Sequence, residues 1–230
     1  MESPENFAPM GIIFDMDGVI IHSNPLHIKA WRTILARENV SISEEDFTNI
    51  ISGTTGDMAI RTLVKRDLTQ EEVNRINLSI DAEYRSMVNQ MDELEPVEGL
   101  RDFLQCILRS GHKTAVATSA PTANVDLIME KFRIREYFHL IVDKTGITHG
   151  KPHPEIYLKT LQQMDMPASQ CVVFEDSLAG IRAAVGAGIK VIGVTTSHSD
   201  EELKRVGASV TIRNFDEMST DHIVAVMGRN

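Results

Sequence analysis

The sequence has little cysteine, few aromatic side chains and no long apolar run. Its 230 residues include two cysteines, Cys106 and Cys171, far apart and in apolar contexts. This favours two buried thiols in a reducing compartment over a disulfide or a zinc site. No stretch approaches the roughly 20 apolar residues of a membrane-spanning helix, and residues 1–9 lack the basic and apolar regions of a signal peptide. We therefore expect a cytoplasmic protein with no membrane partner.

Positive charge is also scarce. The chain has 23 lysine and arginine residues against 33 aspartate and glutamate residues, which gives a formal net charge of -10 at pH 7. This field disfavours a nucleic-acid backbone or an anionic membrane as the main partner. An anionic substrate would need local cations, from a metal ion or from a well-placed lysine.

Short apolar segments alternate with helical patterns over most of the chain. The predicted strands are residues 11–14, 114–118, 139–142, 171–174, 191–194 and 209–212. Continuous apolar strands that alternate with helices are typical of a parallel sheet covered on both faces, so we predict an α/β fold. Residues 23–94 interrupt this alternation with helical patterns alone. We therefore predict a catalytic core of residues 1–22 and 95–230 with an inserted helical cap domain, residues 23–94.

The predicted cap contains two clear helix starts. Asn24 followed by Pro25 is typical of an N-cap and a first helical position. Thr69 and Glu72 form a capping box at the start of a longer helix. An apolar stripe then continues along one face of that helix, through Val73, Ile76, Ile80, Tyr84, Met87 and Met91. A turn-rich segment, residues 52–57, separates the two helices.

Ionisable and hydroxyl side chains follow four of the predicted strands, or the loop after one of them. In chain order they are Asp15, Asp17, Thr118, Ser119, Lys151, Glu175 and Asp176. Ligands of open parallel sheets bind outside the carboxyl ends of the strands, so these side chains should converge. Hydroxyl groups, lysine and helix N-termini suit phosphate, and clustered carboxylates suit Mg²⁺. Together, Mg²⁺ and the lysine would offset the repulsion between Asp15 and Asp17, which follow the first strand.

Four motifs in this order carry a family resemblance. They are "FDMDGVI", "AVATSA", "GKPHPEIYL" and "VVFEDSLAGIRAAVGAG". With them, nearly the whole chain resembles the haloacid dehalogenase superfamily, in its branch of small phosphatases and β-phosphoglucomutase-like enzymes. The resemblance implies a Rossmannoid core, with a parallel sheet flanked by helices and a helical cap inserted after the first motif. This agrees with the organisation predicted from the residues alone.

The resemblance also implies roles for the first two motifs. Asp15 would be the nucleophile that forms an aspartyl-phosphate, ionised at neutral pH. Asp17 would protonate the leaving oxygen, then take a proton from the attacking water, and its backbone carbonyl would bind Mg²⁺. Thr118 and the amide of Ser119 would hold the phosphoryl group. An acid at position 17 excludes the dehalogenases and phosphonatases of the superfamily, which lack it.

The remaining implied roles concern charge and metal. Lys151 would offset charge on the nucleophile and on the phosphate. Asp176 would bind Mg²⁺ directly, together with Asp15, and Glu175 would bind it directly or through water. Gly18 belongs to the implied phosphate-binding set.

Two features of the cap point to different activities. His27 falls where the mutase has a histidine that positions the acid/base, and Trp31 matches as well; alternatively, His27 only caps or packs within its helix. The segment 52–57 has no basic side chain, whereas the mutase uses a lysine and an arginine there to hold a second phosphate. Ser52 and Gly56 stand in those places.

We therefore favour hydrolysis of a small phosphomonoester, such as a sugar phosphate. A β-phosphoglucomutase-type mutase is the alternative, followed by an inorganic pyrophosphatase or a non-catalytic phosphate-binding protein. Arg61 and Lys65 either replace the missing clamp or form a solvated helix face. His153, beside Lys151, either reaches the substrate or is a solvated loop histidine. We expect the protein to be a monomer.

Overall fold

A six-stranded parallel sheet forms the centre of the computed structural model, which describes residues 9–51 and 55–228. The strands are β1 Gly11–Phe14, β2 Lys113–Ala117, β3 Leu140–Val142, β4 Cys171–Glu175, β5 Lys190–Val194 and β6 Val210–Ile212. Their order across the sheet is β3-β2-β1-β4-β5-β6, and every neighbouring pair is parallel. The predicted α/β fold is confirmed, and each predicted strand end lies within one residue of the observed end.

The strand order places β1 at the centre of the sheet. The chain passes from β1 to β2 and β3 on one side, and then crosses back to β4 on the other. Ligands of open parallel sheets bind at such a switch point, outside the carboxyl ends of the strands. The residues that follow β1 and β4 therefore face the crevice in which a ligand is expected.

The side chains of β1 alternate between two apolar layers. Ile12 and Phe14 pack in one layer, and Ile13 packs in the other. Phe14 is paired in register with Phe174 of β4, and their rings stack with centroids 5.1 Å apart. Each fully buried ring stabilises the fold by about 1.5–3 kcal/mol. These contacts fix the ends of the central strands, where the polar side chains begin.

Helices cover both faces of the sheet. Within the described residues they are α1 Asn24–Ala36, α2 Glu44–Asp46, α3 Gly56–Leu63, α4 Gln70–Gln90, α5 Leu100–Arg109, α6 Thr122–Phe132, α7 Glu155–Met164, α8 Leu178–Gly186, α9 Asp200–Arg205 and α10 Thr220–Gly228. Helices α7, α8 and α9 pack in the layer of Ile13. Helices α5, α6 and α10 pack in the layer of Phe14. None of the helices described is both long and apolar enough to cross a membrane.

Helices α1 to α4, here called the cap helices, lie between β1 and α5 in the chain, as predicted for the insert. The capping box of α4 is confirmed, because the Thr69 hydroxyl accepts from the Glu72 amide and the Glu72 carboxylate accepts from the Thr69 amide. The buried face of α4 ends with Val88 rather than Met91, which lies beyond the helix and is exposed. The domain limits at residues 22 and 94 remain a prediction.

Two predictions about the cap were wrong in detail. Helix α3 begins at Gly56, inside the segment predicted as a loop, because the Thr55 hydroxyl caps its first turn by accepting from the Met58 amide. Asn24 is not the N-cap, because α1 already begins at Asn24 and Ser23 takes the N-cap position. The side-chain amide of Asn24 donates to Asp176. Ser52 lies outside the described residues.

The two cysteines lie in different environments. Cys171 of β4 is buried as predicted, whereas Cys106 of α5 is exposed, which corrects the prediction of a buried thiol. The reason is helical periodicity, because Phe103, Leu104 and Ile107 take the inward face of α5 and turn position 106 outward.

Candidate active site

The carboxyl ends of three central strands bring the predicted site residues together. Asp15 follows β1, Thr118 follows β2, and Glu175 and Asp176 lie at the end of β4. Lys151 reaches them from the loop between β3 and α7. Its Nζ lies 2.8 Å from Asp15 Oδ1 and 2.7 Å from Glu175 Oε1. One buried cation thus bridges carboxylates that are 160 residues apart in the chain.

The ammonium group of Lys151 is held in its charged form. Burial alone would lower its pKa, but the Asp15 and Glu175 carboxylates outweigh burial and raise the pKa well above its usual value. The Tyr157 ring lies 5.0 Å from Nζ, and the Tyr157 hydroxyl donates to Glu175 Oε1 at 3.0 Å. Tyr157 is a residue that sequence reasoning missed, although it lies in the "GKPHPEIYL" motif.

Glu175 is fully buried, and both of its carboxylate oxygens accept hydrogen bonds. Oε1 accepts from Lys151 and Tyr157, and Oε2 accepts from the amide and hydroxyl of Ser177. Gly180 of α8 lies so close that a Cβ there would be 1.6 Å from Glu175 Oε1. Glu175 therefore has a fixed orientation, and its closest charged partner is Lys151.

Asp15, Glu175 and Asp176 form a buried cluster of carboxylates, with oxygen atoms within 4.8 Å of one another. Burial raises the pKa of Asp15 to about 7, opposed mainly by Lys151. Burial, followed by the charges of Glu175 and Asp15, raises the pKa of Asp176 well above its usual range. This differs from the full ionisation expected for Asp15 at neutral pH. A divalent cation would reverse both shifts, and an oxygen-only donor set suits a hard cation such as Mg²⁺.

Asp176 is also linked to the start of the cap. Its Oδ2 accepts from Asn24, the first residue of α1, at 3.0 Å, and from the hydroxyl of Ser197. The Thr196 hydroxyl donates to the Gly18 carbonyl at 2.6 Å. Gly18 has a φ of +80°, and a Cβ there would lie 1.9 Å from Asp176 Oδ2, so only glycine fits. The chain thus leaves the core for the cap in contact with a candidate metal ligand.

Asp17 faces the cap instead of the carboxylate cluster. Its Oδ1 accepts from Ser23 at 2.5 Å and lies 2.9 Å from His27 Nε2. Burial favours neutral Asp17, but His27 outweighs this and lowers the pKa of Asp17. Burial likewise opposes a charge on His27, yet Asp17 raises the pKa of His27. The two shifts favour a carboxylate paired with an imidazolium.

Tyr84 of α4 completes this contact. Its ring stacks on the His27 ring with centroids 3.9 Å apart, and its hydroxyl lies 3.5 Å from Asp17 Oδ1. The sequence showed Tyr84 only as a member of the apolar stripe, because nothing local indicates that its polar end meets Asp17. His27 therefore does more than pack within α1, since it is in direct contact with Asp17.

Thr118 and Ser119 lie just before the N-terminus of α6. Thr118 is buried, and its hydroxyl accepts from the Ala120 amide at 3.1 Å, whereas Ser119 is exposed. Amides at a helix N-terminus lack partners within the helix and attract anions. His153, by contrast, is exposed on its loop, and its ring lies 4.6 Å from the His149 ring.

The chain matches the family model described as haloacid dehalogenase-like hydrolase over residues 12–194. Since this match covers most of its length, the chain belongs to that family.

Two relatives and one solved structure show the breadth of the likeness. The chain is 32% identical to a fructose-1-phosphate phosphatase of Escherichia coli, over 80% of this chain and 95% of the relative. It is 24% identical to β-phosphoglucomutase of Bacillus subtilis, over 91% and 92% of the two chains. A haloacid dehalogenase hydrolase of family IA, variant 3, from Entamoeba histolytica superposes with a TM-score of 0.88 at 25% identity, covering 96% of this chain and all of that one. Family membership and the phosphatases among the relatives support a phosphoric monoester hydrolase.

Proposed function

We propose that the protein is a Mg²⁺-dependent phosphatase that hydrolyses a small, sugar-phosphate-like phosphomonoester through an aspartyl-phosphate on Asp15. The observation that carries the proposal is the contact of Lys151 with Asp15 at 2.8 Å, beside the carboxylate cluster and the N-terminus of α6. This arrangement offers a nucleophile, a fixed cation and an anion-binding helix end within one crevice. The fructose-1-phosphate phosphatase among the relatives supports a sugar phosphate as the substrate class.

The carboxylate cluster fits the Mg²⁺ that enzymes of this family generally use. Asp15 and Asp176 would bind the ion through their side chains, and Asp17 would bind it through its backbone carbonyl. Glu175 would act through water, because four donors already occupy its oxygens. A bound Mg²⁺ would supply positive charge that stabilises the transferring phosphoryl group.

The remaining chemistry belongs to side chains of this chain. A carboxylate oxygen of Asp15 attacks phosphorus, and the ester P–O bond breaks. Asp17 gives a proton to the leaving oxygen. His27 can supply this proton to Asp17, because His27 Nε2 lies 2.9 Å from Asp17 Oδ1. Water then attacks the aspartyl-phosphate, Asp17 accepts its proton, and inorganic phosphate leaves. Lys151 stays charged throughout and offsets the negative charge that gathers at the phosphoryl oxygens.

The cap favours a phosphatase over a mutase. Residues 52–57 have the sequence SGTTGD, which has no lysine or arginine to clamp a second phosphate. Arg61 does not replace that clamp, because its guanidinium donates to the Leu68 carbonyl and to Gln70 within the cap. The specific observation in favour of a mutase is the contact of His27 with Asp17, together with the likeness to β-phosphoglucomutase.

We also propose that the enzyme acts as a cytoplasmic monomer, with no nucleic acid or membrane as partner. The formal net charge of -10 supports the last part, because it repels nucleic acids and anionic membranes. Sedimentation of the full chain at several concentrations tests the monomer, and a mass that rises to that of a dimer would contradict it.

Phosphate release from a panel of phosphomonoesters and pyrophosphate, with Mg²⁺ and with excess chelator, tests the function. We expect release from sugar phosphates with Mg²⁺ and none with chelator. β-Glucose 1-phosphate, with a coupled readout for glucose 6-phosphate, separates the alternatives. Glucose 6-phosphate without free phosphate would show a mutase, and activity on pyrophosphate alone would show a pyrophosphatase. Substrate binding without any turnover would show a phosphate-binding protein.

A further inference from the structure

Three metal-ligating side chains lie together on the loop that carries Lys151, outside the carboxylate cluster. They are His149, His153 and Glu155, whose ligand atoms lie within 4.8 Å of one another. Both histidines are exposed and Glu155 is half-buried, so an ion can enter from solvent. The proposed phosphatase chemistry uses none of the three.

Hydrogen bonds hold Glu155 in place and leave it room for one more partner. Its oxygens accept from the amide of Thr148 at 2.7 Å, from the amide of His149 at 2.8 Å and from His149 Nδ1 at 2.9 Å. A carboxylate offers about four lone-pair positions. Three are used here, so a fourth is available on a carboxylate that the loop has already oriented.

The two imidazole rings present lone pairs as well. His149 Nδ1 lies 2.9 Å from Glu155 Oε2 and donates to it in the metal-free chain. In the other tautomer, with the proton on Nε2, the lone pair of Nδ1 and the carboxylate oxygen lie side by side and can bind one ion. His153 Nδ1 accepts from the Glu155 amide at 3.2 Å, so this nitrogen carries a lone pair in a long, weak contact.

We propose that His149, His153 and Glu155 form a binding site for a transition-metal dication of the Zn²⁺ type. Imidazole nitrogens with a carboxylate suit Zn²⁺, Ni²⁺ and Cu²⁺, whereas Mg²⁺ prefers oxygen ligands. The site is therefore chemically distinct from the carboxylate cluster.

The site brackets Lys151 in the chain, and its loop touches the cap. A Cβ on Gly150 would lie 3.3 Å from Thr55 Cγ2, at the start of α3. An ion that joins residues 149, 153 and 155 restrains the segment that positions Lys151. We therefore expect Zn²⁺ to inhibit turnover at saturating Mg²⁺; this consequence rests on the proposed function, whereas metal binding does not.

Calorimetric titration of the full chain with Zn²⁺, in excess Mg²⁺ and without substrate, tests the site. We expect one equivalent to bind, and His149→Ala and His153→Ala each to weaken it by about tenfold or more. His222→Ala, which removes an exposed histidine of α10, is the matched control and should change nothing. Asp176→Asn should also leave this binding unchanged. Circular dichroism melting checks that each variant is folded.

Three results would overturn the proposal. One is that the wild-type chain binds no Zn²⁺ in excess Mg²⁺. Another is that both histidine variants bind as tightly as the wild type. The third is that Asp176→Asn, rather than the histidine variants, removes binding, which would assign the ion to the carboxylate cluster. Because no substrate is present, these outcomes are independent of whether the chain is a phosphatase.

Discussion

The core and the cap helices hold their site residues in different ways. In the core, buried ion pairs hold Lys151 between Asp15 and Glu175 and so join the ends of β1 and β4 to the loop before α7. In the cap, His27 is held by stacking on Tyr84 and reaches the core at Asp17. The core therefore fixes charge, whereas the cap supplies a group that can hold a proton.

Polar side chains join α4 of the cap helices to α6 and to the loop after β3. Arg85 of the cap donates to Asn124 of α6 at 2.8 Å, and Asp81 lies 3.7 Å from Lys144. Polar contacts of this kind exchange readily with water, and relative motion is the usual behaviour of domains joined by them. If the cap helices move away from the sheet, His27 would leave Asp17, whereas Lys151 would stay in contact with Asp15. In the proposed mechanism, such a motion would separate phosphoryl binding from proton delivery.

The largest effect should come from Asp15, the proposed nucleophile. In Asp15→Asn the side chain loses its anionic oxygen, so we expect kcat for phosphate release to fall on the order of 10⁴-fold or more. Asp126→Asn, which changes an exposed aspartate of α6 in the same way, should have no effect. Steady-state release from the best substrate in the panel measures both. Near wild-type turnover by Asp15→Asn would contradict the role of Asp15.

Alkylation of the two cysteines measures the accessibility of the core alone, because the cap helices contain no cysteine. Burial raises the pKa of Cys171 to about 11. The reactive form is the thiolate, and its fraction falls as the pKa rises above the ambient pH, so at pH 8 about one Cys171 in a thousand is ionised. We expect alkylation at Cys106 to be about a hundredfold faster or more, as measured by mass spectrometry of the peptides.

A phosphate-mimicking fluoride complex should leave the ratio of the alkylation rates of Cys106 and Cys171 unchanged if only the cap helices move. Rapid labelling of Cys171, with or without the complex, would show that the core opens as well.

Removal of the His27 imidazole should lower kcat less than the Asp15→Asn substitution does. In His27→Ala, we expect kcat for a sugar phosphate to fall by about tenfold to a hundredfold. This is at or below the low end of the roughly 10²–10⁴-fold that a positioned acid–base group contributes, because Asp17 remains and His27 acts through it. The loss should be smaller for p-nitrophenyl phosphate, whose leaving oxygen needs no proton. His22→Ala, at an exposed histidine nearby, is the control. Equal losses for the two substrates would show that His27 does not act through the leaving group.

The smallest effect should be the coupling between Arg85 and Asn124. A double-mutant cycle with alanine at both positions, read from urea unfolding, should give a coupling energy of about 1 kcal/mol, because a half-exposed charged hydrogen bond is partly screened. Additivity within about 0.3 kcal/mol would show that this contact does not fasten the cap to the core.

The sequence predicted those parts of the site that local patterns encode. Apolar runs bounded by turns located the six strands that the structure describes. Their ends, and the loop after the third of them, led to Asp15, Asp176 and Lys151. Contacts between residues that are far apart in the sequence leave no local sequence pattern. Asn24 meets Asp176 across 152 residues, and Tyr84 meets Asp17 across 67, so neither could be found from its neighbours.

The same reasoning explains the wrong details. The exposed position of Cys106 depends on the rotation of α5 against the sheet, which apolar composition alone does not give. The pKa of Asp15 depends on burial and on Glu175, which only the assembled sheet brings near.

The stereochemical course at phosphorus tests the central claim most directly, namely that the core carries the phosphoryl group on Asp15. Each in-line displacement inverts phosphorus, so transfer to Asp15 followed by transfer to water gives net retention. The measurement uses a phosphomonoester that is isotopically chiral at phosphorus, with the released phosphoryl group captured in a form whose configuration can be read. We predict retention. Inversion would show a single displacement by water and would contradict the account.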